Sequence, residues 1–187
     1  MSAAGPIPAV VLAGGRSARL GQPKAWLPTA EGPLARALGL RAAAAGCDPV
    51  WIVVAEAKDL GLGALPLHAL LEGPRPHRHP LFGLAAALSG LRAPLVLCLP
   101  CDLPFLGVAE LAALRAVAGP VRAMGPRGPE PLLGVFSADI AAEARALAAA
   151  EAPCRALAPG MPTLRLPDAA LQNLNRPADL DALLPPR

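Results

Sequence analysis

The chain of 187 residues has no tyrosine, three phenylalanines and two tryptophans. So few rings build no stacking platform, and no lysine- or arginine-rich run is present, so a nucleic-acid polymer is a poor partner. No stretch of about 18 apolar residues is free of charge and proline, which argues against a membrane-spanning helix. The opening MSAAGPIPAVVLAGG has no cationic region before its apolar run, so no secretory leader is expected. Four cysteines in a chain this long do not make a disulfide framework, and the reducing cytoplasm is the expected compartment. Lysine is scarcer still. Lys24 and Lys58 are the only two, against arginine everywhere else, and Asn173 and Asn175 are the only asparagines. A coding bias that turns lysine into arginine would be expected to reach position 24. Its lysine points to a need for a compact ammonium on a flexible stem rather than a planar fork.

Hydrophobic residues make up 54%, much of it alanine and leucine, while 24 prolines and 18 glycines are scattered between apolar runs. That pattern is a folded chain, not a disordered one, and the length fits a single domain over 1–187. The net charge of +3 is mild, enough to help attract a small polyanion. Short apolar runs read as strands: Ile7–Ala13, Pro49–Ala55, Ala93–Pro100, Pro120–Met124, Pro131–Ser137 and Pro162–Pro167. Alanine- and leucine-rich segments between them read as helices: Gly32–Gly46, Pro80–Arg92, Val108–Gly119, Ala138–Ala152 and Pro177–Leu184. Strands of continuous apolar character separated by helices imply a mostly parallel α/β sheet covered on both faces. Ligands of such sheets bind outside the carboxyl ends of the strands. Polar residues bunch there: GGRSAR after the first strand, CDLP after the third, NLN after the last.

In Gly14-Gly15-Arg16-Ser17-Ala18-Arg19 a strand runs into a glycine pair with two arginines behind it. Glycines let successive backbone N–H groups approach an anion, arginine forks add donors, and Lys24 reaches the same anion as a point charge. Ser17 reads as a hydrogen-bond donor there. The spacing matches neither G-x-x-x-x-G-K nor G-x-G-x-x-G. Asp102, just past a buried strand and between prolines, is placed to hold Mg²⁺, which takes one or two carboxylates plus substrate phosphates. Cys98 and Cys101 form C-x-x-C, but Cys98 lies inside the strand and no helix opens after the pair, which disfavours redox or zinc chemistry. Asn173 and Asn175 either form a turn and cap before Pro177 or present two amides to a ligand. No G-x-S-x-G nucleophile elbow is present, and His68, His77 and His79 have no partner in a nucleophilic arrangement.

LAGGRSARLGQPKA resembles the signature L-A-G-G-x-S-x-R-M-G-x-x-K of nucleotidyltransferases that activate phosphorylated metabolites. With PCDLP, the segment HPLFGLAAAL and the closing NLNRPADL, the chain is most similar to the molybdenum cofactor guanylyltransferase family. That resemblance implies a three-layer Rossmann-like nucleotidyltransferase fold, with a mostly parallel twisted sheet and helices on both faces. It also implies transfer of GMP from GTP to the terminal phosphate of molybdopterin, in the cytoplasm, with Mg²⁺ and with transient contacts to other molybdenum cofactor proteins. Carried over by position, Leu12, Ala13 and Gly14 would line base and ribose. Gly15, Arg16, Arg19 and Lys24 would meet the triphosphate, Asp102 would bind Mg²⁺, and Arg19, Lys24 and Asp102 would act in catalysis. Glu72 stands where the family usually has an aspartate that contacts nucleotide. Asn173 and Asn175, with Arg155, would face the pterin-phosphate side. Departures from the family pattern are Pro23 before Lys24, Glu72, and Ala55-Glu56 after the second strand, and all three bear on base choice or affinity rather than on the transfer step. GQPK looks more like the cytidylyltransferases, so a cytidylyltransferase is the nearer alternative and a non-catalytic nucleotide-binding or adaptor module the further one.

Overall fold

A computed structural model describes residues 6–14, 23–54, 67–71 and 77–174. β1 (Ala9–Leu12) is followed, past the glycine loop, by a 3-10 turn at Lys24–Trp26. A small antiparallel hairpin, β2 (Pro28–Thr29) and β3 (Gly32–Pro33), leads into α1 (Leu34–Ala44). That helix stops where the sequence places a glycine. Gly46 takes φ +87°, and its N–H donates to Ala43 O while that of Cys47 donates to Ala42 O. This pair of bonds satisfies the last carbonyls of the helix, and the left-handed residue it requires is most easily glycine.

β4 (Val50–Val54) and β5 (Leu67–Leu71) come next, then α2 (Pro80–Gly90), with proline in its first turn and His79 Nδ1 accepting from the Leu81 N–H. β6 (Leu95–Pro100) precedes α3 (Val108–Arg115), whose start is fixed by Glu110 accepting from the Gly107 N–H at 3.1 Å. β7 (Val121–Gly125) and β8 (Gly128–Ser137) form a hairpin. A 3-10 turn at Ala138–Ile140, α4 (Ala141–Ala149), another 3-10 turn at Cys154–Ala156, β9 (Thr163–Arg165) and a final 3-10 turn at Asp168–Leu171 complete the described chain.

The main sheet has seven strands in the order β5-β4-β1-β6-β8-β7-β9. β8 alone runs against the other six. Alternate residues of each central strand feed two apolar layers. Ala9, Val11, Val50, Ile52, Leu97 and Leu99 pack with α1 and α3; Val10, Val53, Val96 and Cys98 pack with α2 and α4. This double burial explains why the strands read as unbroken apolar runs, and the expected three-layer α/β architecture is the one found.

Several boundaries differ from those read off the sequence. α3 ends at Arg115 rather than Gly119, since its core contacts come from Leu111 and Leu114 and the chain then turns. The segment read as one helix over Ala138–Ala152 is a 3-10 turn followed by α4. β8 begins at Gly128, three residues before Pro131, because Gly128 and Pro129 pair with Gly125 and Met124 of β7. β5 has leucine and alanine where a strand signal would need β-branched residues, and its pairing to β4 supplies what propensity does not. The helix expected over Pro177–Leu184 lies outside the described residues.

Candidate functional site

The sheet order fixes where a ligand can sit. From β1 the chain steps to β4 and β5 on one side, then returns to place β6 on the other side of β1. The carboxyl ends of β1 and β6 therefore flank the switch point of a doubly wound sheet, where a crevice opens. Leu12, the last residue of β1, is in register with Pro100, the last of β6. Lys24 follows the first strand and Asp102 the second. Their side chains meet, with Nζ 3.8 Å from Oδ2, at side-chain exposures of 18% and 33%.

Each partner is held from below. Lys24 opens the 3-10 turn whose Ala25 is buried in the core. Asp102 does not cap α3, because that helix starts at Val108 with Gly107 as its N-cap and Glu110 accepting from the Gly107 N–H. The loop after it is pinned by fully buried Leu103 and Leu106. Arg41 from α1 donates to Pro104 O at 2.6 Å and Leu106 O at 3.2 Å, and pairs with Glu31 at 2.8 Å. Burial raises the Asp102 carboxyl above its ordinary value, and Lys24, a backbone hydrogen bond and Arg127 partly offset that. Burial is also the larger cause that raises the Glu130 carboxyl, with Arg127 lowering it and Asp102 raising it further.

Glu130 and Arg127 are site neighbours that the sequence did not single out. The β6–β8 pairing ends at Cys98 with Gly134, and Asp102 and Glu130 both lie beyond it at that end of the two strands. On the other edge, Ala123 alone lies between the paired Arg122 and Met124. Glu130, Pro131, Leu132 and Leu133 lie between the paired Gly134 and Pro129. β8 thus carries three residues more than β7 at this point, a bulge of the kind that re-aims side chains beside active sites. The only sequence signal was the Pro-Glu-Pro run, which breaks an otherwise apolar strand.

Asn173 joins the same end of the sheet. The Leu174 N–H donates to Asp102 O at 2.9 Å, and Asn173 Oδ1 is buried without a hydrogen-bond partner among the described residues. Leu12, Ala13 and Gly14 lie at the end of β1, with the Ala13 N–H donating to Val53 O. Gly14 O accepts from Arg78 Nη1 at 3.2 Å, so the loop before α2 touches the first glycine. Arg155 is exposed in the turn Cys154–Ala156, and no contact among the described residues joins it to this cluster. Gly15, Arg16, Ser17, Arg19, Glu72 and Asn175 lie outside the described residues.

The donor set fits a hard divalent cation. Asp102 and Glu130 offer carboxylate oxygens, and burial pushes the Cys101 thiol up to about 12, leaving it a neutral, poor ligand. Cys98 is fully buried and its thiol is raised too. The C-x-x-C pair is therefore two packed thiols beside a carboxylate, and no group of three or more potential ligands occurs among the described residues. Mg²⁺ needs no such cage when substrate phosphates complete its shell.

A family model described as MobA-like NTP transferase domain matches residues 9–164. The chain belongs to the MobA-like NTP transferase family. It is 44% identical over 110 residues to the Probable molybdenum cofactor guanylyltransferase of Synechococcus elongatus, covering 57% of this chain and 56% of that protein. The match thus spans little more than half the length of that curated relative. Among solved structures, the molybdopterin-guanine dinucleotide biosynthesis protein A of Archaeoglobus fulgidus superposes with a TM-score of 0.69 at 17% identity, covering 95% of this chain and 96% of that one. The CMP:2-keto-3-deoxy-manno-octonic acid synthetase complexed with CTP superposes at 0.72 and 14% identity, covering 96% of each chain. Both likenesses concern the fold. No helix among the described residues of this family member is long and apolar enough to cross a membrane.

Proposed function

We propose that this protein is a molybdenum cofactor guanylyltransferase, transferring GMP from GTP to the terminal phosphate of molybdopterin and releasing pyrophosphate. The observation that carries the reading is the Lys24–Asp102 pair at the switch point of the sheet. An ammonium and a metal-binding carboxylate side by side are what a bound nucleoside triphosphate requires. The family match and the names of its relatives support the same chemistry.

In the reaction, an oxygen of the acceptor's phosphate monoester attacks the α-phosphorus of GTP in line. The bond from the α-phosphorus to the bridging oxygen breaks, and its electron pair leaves with pyrophosphate. The attacking oxygen is already ionised near neutral pH, so no strong general base is needed. Catalysis reduces to positioning and charge neutralisation. Leu12, Ala13 and Gly14 carry base and ribose against the end of β1. Gly15, with its backbone N–H, and Ser17 hydrogen-bond to the phosphates. Arg16, Arg19 and Lys24 neutralise the charge that builds on the departing pyrophosphate. Asp102, with Glu130 nearby, holds Mg²⁺. When bound, Mg²⁺ supplies positive charge to the phosphate oxygens around the reacting phosphorus. Glu72 contacts the nucleotide, and Asn173 and Asn175 face the acceptor. The buried, unpartnered Oδ1 of Asn173 supports that last assignment, since a ligand donor would satisfy it. The setting is cytoplasmic.

A second reading is favoured by one specific feature. Pro23 precedes Lys24 in a cytidylyltransferase-like GQPK, which would make CTP the donor with the same mechanism. The test is the Mg²⁺-dependent affinity of the purified chain for GTP, CTP, ATP and UTP, followed by GMP transfer to molybdopterin. GTP preference with transfer is the expected result. CTP preference overturns the guanylyl reading, and no affinity for any of the four overturns the enzyme.

A further inference from the structure

On the far side of this site from the nucleotide half, Arg127 has no role assigned. Gly125 and Gly128 are paired across the two-residue turn Pro126-Arg127. Pro126 restricts the backbone there, and Gly128 takes φ +110°. Arg127 is therefore an exposed side chain on a fixed turn, not on a floppy loop.

Strand order decides which substrate it faces. Lys24 comes from the end of β1 and approaches Asp102 from the β1 side. Arg127 comes from the β8–β7 hairpin, on the opposite side of β6. β7 runs parallel to β6, so the turn that follows Gly125 stands at the same end of the sheet as Asp102, and the positive charge of Arg127 lowers the carboxyls of both Asp102 and Glu130. Gly125 leaves room for this arrangement. A Cβ on it would stand 3.2 Å from Glu130 Oε1 and 3.0 Å from Leu171 Cδ1, so the Glu130 carboxylate lies over bare backbone next to the turn.

We infer that Arg127 receives the terminal phosphate of the acceptor, a role that rests on the nucleotidyl-transfer reading above. Two polyanions must meet at one phosphorus, and each needs a cation on its own side. Lys24 and the glycine loop occupy the nucleotide side. Arg127 is an exposed cation on the other side, at the same end of the sheet as Asp102. Its planar fork matches the oxygens of a phosphate monoester in a way a lysine does not.

The experiment compares wild type, Arg127→Ala and Arg127→Lys by two measurements: the Kd for GTP in the presence of Mg²⁺, and the KM for molybdopterin at saturating GTP. The expected result is an unchanged GTP affinity in all three. The molybdopterin KM rises about tenfold or more in Arg127→Ala, the loss expected for one charge-assisted pair. Arg127→Lys recovers part of that, because charge returns without the fork. An unchanged molybdopterin KM in Arg127→Ala, with wild type active, overturns the inference alone. A loss of GTP affinity equal to the rise in acceptor KM also overturns it, by placing Arg127 on the nucleotide. Wild-type protein that binds Mg²⁺ and GTP but transfers nothing to molybdopterin overturns the underlying reading and this inference with it.

Discussion

The Lys24 ammonium sits 3.8 Å from the Asp102 carboxylate, although the two residues follow different strands and are far apart in the chain. That distance lies within ion-pair range and brings a cation and a carboxylate to one point of the crevice. Replacing Lys24 by alanine should lower kcat by about 10²–10³, the scale of losing one preorganised charge-stabilising donor. The fold should survive, because the side chain is not part of either apolar layer. Steady-state kinetics beside a thermal melt checks this; an unchanged kcat would remove Lys24 from the mechanism.

Glu130 adds negative charge beside Asp102 without being its hydrogen-bond partner. Glu130→Gln keeps the shape and removes the charge. The expected outcome is a several-fold rise in the Mg²⁺ concentration needed for half-maximal GTP binding, since a cation gains less from one carboxylate than from two. Titration of Mg²⁺ at fixed GTP reads this directly, and an unaltered midpoint would count against any role for Glu130 at the metal.

Two glycines of the described chain should behave oppositely. Gly134 faces β7 so closely that an added Cβ would run into Val121 O and come 2.9 Å from Arg122 Cα, both backbone. Gly134→Ala should therefore cost about 2 kcal/mol or more, as overpacking against an unyielding neighbour does. Gly90 ends α2 with open space around it, so Gly90→Ala should be neutral or stabilise by up to about 1 kcal/mol. Urea denaturation of both variants separates the cases.

The thiols should be inert in the folded protein. From an ordinary value of 9.0, burial pushes Cys47 up to about 11 and Cys101 up to about 12, with Cys98 and Cys154 raised as well. The unfolded chain thus releases these protons at lower pH than the folded one. The stability that protonated, buried thiols contribute is complete below pH 9.0 and falls as the pH rises toward 11 and 12. A thiol reagent at pH 8 should label the native protein slowly and all four cysteines quickly in denaturant. Rapid labelling of Cys101 in the native state would revive a redox reading of the C-x-x-C pair.

The apolar layers were legible in the sequence because strands buried on both faces leave unbroken runs of valine and leucine. The ends of α1 and α2 were legible because Gly46 and Pro80 act locally. Lys24 and Asp102 were legible for different reasons: one lysine survived where arginine is the rule, and one carboxylate stands between prolines after a strand. Arg127 and Glu130 were not. Both lie near prolines, Arg127 in the turn between β7 and β8 and Glu130 in the bulge of β8 against β7, and strand order brings them to the end of the sheet that carries Asp102. Arg41 was missed for the same reason, since an arginine on a helix looks solvated until the loop carbonyls it holds are known. Local chemistry announces itself in a sequence; a neighbour made by strand pairing does not.

The order of the strands also says when this site can come into being. Its described members sit at positions 24, 102, 127, 130 and 173, and they converge only after β6 has inserted between β1 and β8. Such long-range pairings close late in folding, because each must first overcome the entropy of a large loop. Mg²⁺-dependent GTP binding should then be the last property to return during refolding, after compaction and helix formation are complete. In a chain without tyrosine, regained ligand affinity becomes the clock for the finished sheet.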